Sequence, residues 1–106
     1  MKGKEIVLKA ARILFDKKAQ DIVALDVSAL TVITDAMVIA SGRNTLQVKA
    51  LADEVEQKLA EEGLEPLRKD GQRDARWIVL DYGTVLVHLF HTQEREFYRL
   101  DKLWEH

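Results

Sequence analysis

The stretch Arg76–His91 reads RWIVLDYGTVLVHLFH, two runs rich in β-branched and aliphatic residues broken by Tyr82-Gly83. Two residues including a glycine between such runs signal a tight β-hairpin, with strands over 76–81 and 84–91. A two-residue loop fixes register, so Asp81 is expected opposite Thr84, Val79 opposite Leu86 and Trp77 opposite His88, with Phe90 beyond. Side chains alternate between the faces of a strand. One face therefore collects Ile78, Leu80, Val85, Val87 and Leu89, uniformly aliphatic and suited to a core. The other carries Trp77, Val79, Asp81, Leu86, His88 and Phe90 and mixes an indole, an imidazole and a carboxylate with apolar side chains. This asymmetry predicts a sheet covered by helices on one side and open on the other. The open side would present a partly apolar patch centred on Trp77, the residue type favoured in interface hot spots. The competing reading puts the mixed face beneath a terminal helix, with His88 a satisfied, partly buried histidine.

The rest of the chain supplies the layers. Residues 3–19 read as a helix, with Val7, Ala10, Ala11 and Leu14 at helical spacing and Ile6 and Ile13 widening the stripe. Residues 21–27 and 36–41 read as strands, the second ended by Gly42. Asn44 has the chemistry of an N-cap, and Gln47 three residues on completes a capping-box pattern. Val48, Leu51, Ala52, Val55 and Leu59 follow as an apolar stripe, and Gly63 and Pro66 stop the helix. Residues 64–68 suggest a short third strand, 69–75 a polar loop, and 92–104 a last helix with Phe97, Leu100 and Trp104 at helical spacing. The expectation is an α/β single domain over residues 1–106, with a mixed sheet of about five strands and about three helices.

Composition bounds the function. The 106 residues are 47% hydrophobic and 32% charged, with one Pro and five Gly, an ordinary globular mixture that argues against disorder or a collagen-like repeat. With no cysteine, thiol catalysis, thiolate metal sites and disulfides are excluded. The charged N-terminal stretch does not resemble a signal peptide and no apolar run approaches a membrane span, so a soluble, cytoplasmic chain with no membrane partner is expected. Sixteen basic against eighteen acidic residues make a poor default nucleic-acid binder, and no direct sequence-specific nucleic-acid binding is expected. The charge is uneven, positive in residues 1–20 and negative in 44–62, as solvated helix faces commonly are.

No catalytic constellation emerges. His88 and His91 are three apart on a strand and so point to opposite faces, and no third metal ligand accompanies them. Neither Ser28 nor Ser41 lies in a nucleophile elbow, and no phosphate-binding glycine motif occurs. Two-metal chemistry needs acids paired on one strand face, yet the chain has no D-x-D. A non-enzyme without metal or cofactor is the expectation.

The segments DIVALDVSALTVITDAMVIASGRNTLQVKALADEVEQKL (residues 21–59), GLEPLRKDG (63–71), RWIVLDYG (76–83), VLVHLFH (85–91) and REFYRLDKLW (95–104) together resemble the ribosomal silencing factor family, RsfS or Iojap. The resemblance implies a nucleotidyltransferase-like α/β fold without that fold's catalytic acids. It also implies a ribosomal silencing factor that binds a large-subunit ribosomal protein, number fourteen, at the intersubunit face. There it would block association of the small and large subunits and repress translation. Trp77, Val79, Asp81, Leu86, His88 and Phe90 are the expected partner-binding residues, with Trp77 as anchor and Asp81 accepting from a basic partner. The alternatives are a homodimeric interaction module, a large-subunit assembly factor and, last, a cryptic nucleotidyltransferase.

Overall fold

The structure is a computed structural model and describes residues 2–93. Within them lie α1 (Gly3–Asp16), β1 (Gln20–Asp26), β2 (Ala36–Gly42), α2 (Thr45–Ala60), β3 (Arg68–Asp70), β4 (Trp77–Asp81) and β5 (Val85–His91). The strands form one mixed sheet in the order β1-β2-β5-β4-β3, parallel only between β2 and β5. The mixed five-stranded sheet of a single small domain is as expected, with two of the three helices. The third, expected over 92–104, falls from residue 94 onward outside the described residues.

Both helices pack on one side of the sheet. Ile6, Ala10 and Leu14 of α1 and Val48, Leu51, Val55 and Leu59 of α2 meet Val38, Ala40, Ile78, Leu80, Val85, Val87 and Leu89 in one buried cluster. α1 ends sooner than its apolar pattern suggests. Lys18 takes a left-handed conformation (φ 64°). The N–H groups of Lys18 and Ala19 then turn back to the carbonyls of Phe15 and Leu14, a Schellman closure. The start of α2 follows its sequence signature: Asn44 Oδ1 accepts from the Gln47 N–H at 2.8 Å. The Gln47 side chain accepts in turn from the N–H of Arg43, one residue before the cap. Lys9 of α1 pairs with Glu62 beyond α2, so some of the opposite helix charge is used within the fold.

Two strand expectations need correction. The hairpin register is displaced by two residues: Asp81 pairs with Leu86, Val79 with His88 and Trp77 with Phe90. The loop residues are Gly83-Thr84 rather than Tyr82-Gly83, because the Tyr82 N–H bonds to the Val85 carbonyl. Gly83, at φ 84°, takes the conformation that other residues resist. A two-residue slip preserves the alternation, so each side chain keeps its expected face. The third strand also lies later than expected, over Arg68–Asp70 rather than 64–68. Pro66 has no N–H to donate, and pairing starts with the Leu67 N–H on the Asp81 carbonyl.

Candidate partner-docking face

The side of the sheet that carries no helix among the described residues brings together all six residues singled out in the sequence. The β4–β5 register sets Trp77, Val79 and Asp81 beside Phe90, His88 and Leu86. The parallel β2–β5 pairing adds Met37 and Ile39 on the same side. Beneath the face, Val27, Met37, Ile39 and Phe90 form a second small core, with Leu25, Trp77 and Leu86 packed against it.

The six differ in what they can offer a partner. Phe90 is fully buried and His88 is 5% exposed, whereas Trp77, Val79, Asp81 and Leu86 are half-buried. The expectation of a uniformly open face is therefore corrected at Phe90 and His88. Phe90 packs with Met37 and Ile39 of β2 and with Val27 after β1, and His88 pairs with Ile39 across β2–β5, all distant in sequence. Phe90 stacks on Trp77 with ring centroids 4.9 Å apart and planes 23° apart. The Trp77 indole Nε1–H donates to His88 Nδ1 at 3.0 Å. Burial pushes the His88 imidazole down to about 4, and accepting through Nδ1 places its hydrogen on Nε2. That Nε2 is buried without a hydrogen-bond partner. Asp81 is committed in part as well, because its Oδ1 accepts from the Gly83 N–H at 2.8 Å and steadies the hairpin loop.

Two residues that the sequence reading passed over join the face. β3 pairs Arg68 with Asp81 and Asp70 with Val79, so these exposed charges flank the half-buried apolar centre. Their alternation with Lys69, which turns the other way to meet Glu56 at 3.1 Å, was the available signal. Gly71 holds this edge close: a Cβ there would lie 2.0 Å from the Trp77 carbonyl oxygen.

Elsewhere, a groove of about 740 Å³ opens beside the start of α1, lined by Gly3, Lys4, Val7, Ala24 and Asp26 among others. It does not reach the six-residue face. Asp26 there is held below the usual carboxylate range by the hydroxyl and N–H of Ser28. Among the described residues no cluster of His, Asp or Glu could hold a metal ion, and no helix is long and apolar enough to cross a membrane.

Among the described residues, two helices on one side of a mixed sheet, with an aromatic, charge-flanked patch on the other, define a small α/β domain. Comparison with known proteins gives it a family. Residues 2–106 match the family described as ribosomal silencing factor during starvation. The chain is 39% identical over 104 residues to the ribosomal silencing factors RsfS of Halalkalibacterium halodurans and of Bacillus subtilis, covering 98% of this chain and 89% and 88% of theirs. A crystal structure of a Chromobacterium violaceum protein superposes with a TM-score of 0.94 at 38% identity, over 98% of this chain and 87% of that one. The chain belongs to the ribosomal silencing factor (RsfS) family, which is named for ribosome regulation and not for a reaction.

Proposed function

We propose that this chain silences ribosomes in the cytoplasm by docking on the large subunit. It would contact ribosomal protein fourteen at the intersubunit face and keep the small subunit from joining. The observation that carries the docking part is the patch of Trp77, Val79 and Leu86 on the side of the sheet opposite α1 and α2, flanked by Arg68, Asp70 and Asp81. A half-buried aromatic beside apolar neighbours, with polar groups around them, is the anatomy of an interface anchor. Trp77, Val79, Asp81 and Leu86 make the contacts in this reading, while His88 and Phe90 support them from beneath. Such a role works by occupying a surface and needs no reacting group.

The test is subunit joining followed by light scattering. Adding the protein to large subunits before small ones should suppress formation of the whole ribosome in proportion to dose. The Trp77→Ala variant should require at least about tenfold more protein, as truncation of a central anchor costs ~2 kcal/mol or more in binding. Undiminished joining at saturating protein would overturn the reading.

A further inference from the structure

His88 is an unexpected choice for its position if only the fold is considered. It is buried beside Phe90 and Val79, its Nε2 has no hydrogen-bond partner, and burial disfavours its charged form. An apolar side chain of similar size would remove the stranded Nε2–H donor but take the acceptor from the part-buried Trp77 Nε1–H. What histidine supplies here is one acceptor, Nδ1, and that acceptor takes the Nε1–H of the docking anchor. Phe90 stacks on the same indole from below. The stack bears on the ring plane and the hydrogen bond on rotation within that plane, so both contacts orient the edge that Trp77 presents. A partner binding a pre-oriented anchor does not have to order it first.

We infer that His88 is a positioning residue for docking: through Nδ1 it orients the Trp77 indole for the partner without touching the partner itself. This rests on the docking reading above. The test compares His88→Asn with His88→Leu. Asparagine places an acceptor oxygen on the same Cγ branch as Nδ1, whereas leucine places a methyl group there. Retention on purified large subunits is measured together with thermal unfolding and with solvent exchange of the Trp77 indole N–H, assigned in a Trp104→Phe background. The expected result is near-wild-type retention for His88→Asn and at least about tenfold weaker retention for His88→Leu. His88→Leu should unfold no earlier than wild type, and its indole N–H should exchange faster. A purely structural histidine would instead couple any binding loss to a lower unfolding temperature. Should His88→Leu fail to fold, His88→Gln replaces it, since its amide sits one methylene too far to serve Trp77 at the same point. Wild-type retention by His88→Leu, or equal retention by the Asn and Gln variants, overturns the inference alone. Failure of the unmodified chain to bind large subunits overturns the docking reading and this inference together.

Discussion

Val79 and His88 face each other across the β4–β5 pair, one half-exposed at the centre of the docking face and the other 5% exposed beneath it. The face thus has two tiers within one hairpin. The outer tier meets solvent, and the inner tier of His88 and Phe90 sets its shape.

The inner tier predicts a pH dependence of stability. Burial lowers the His88 imidazole from 6.5 to about 4. Between those values the unfolded chain takes up a proton that the folded chain refuses. The contribution is therefore fully present above pH 6.5, declines as pH falls and levels off below about 4. At ~1.36 kcal/mol per pKa unit the full loss is about 3 kcal/mol. Urea unfolding across this range should show the loss in the wild type, and His88→Leu should lack that part of it. Identical pH profiles for the two proteins would contradict the assignment.

Gly71 and Gly63 share a left-handed backbone, φ 86° and 83°, but not a neighbourhood. A Cβ at Gly63 meets nothing within 4 Å, whereas at Gly71 it collides with the backbone of Trp77. Gly63→Ala should cost about 1 kcal/mol, the conformational penalty alone. Gly71→Ala should cost about 2 kcal/mol more, because strand β4 must move. Chemical denaturation of both variants checks this, and equal losses would show that the edge of the face is not held by close packing.

Tyr82 lies on the helix side of the hairpin with its hydroxyl buried and without a hydrogen-bond partner. Burial, with Glu56 and Glu65 nearby, pushes its ionisation well above the usual phenol range. Tyr82→Phe removes a stranded polar group and should leave stability unchanged or raise it by up to about 1 kcal/mol. A clear loss would reveal a use for that hydroxyl.

Much of this fold was legible in the sequence because it rests on short-range rules. The alternation in 76–91 divided Ile78, Leu80 and Val87 from Trp77, Val79 and His88, and the Asn44–Gln47 spacing marked the start of α2. The hairpin register was harder to read, since either Tyr82-Gly83 or Gly83-Thr84 satisfies a glycine-containing loop. Only the Tyr82–Val85 bond decides between them. Leu64 and Leu67 resemble strand residues and draw the expected third strand too early, yet Leu67 is 72% exposed and pairing runs through Arg68–Asp70. The burial of Phe90 and His88 was not readable from periodicity. Phe90 packs with Val27, Met37 and Ile39, and His88 pairs with Ile39, neighbours that the β2–β5 pairing brings near.

The most direct measurement is co-sedimentation of the protein with isolated large subunits, small subunits and whole ribosomes, for the wild type and for Val79→Glu. Val79 is half-exposed, so the substitution places a charge at the centre of the face without emptying the core. The docking reading predicts retention on large subunits alone, weakened at least about tenfold by Val79→Glu while circular dichroism stays unchanged. Equal retention of a folded Val79→Glu variant, or retention on none of the three particles, would contradict docking through this face.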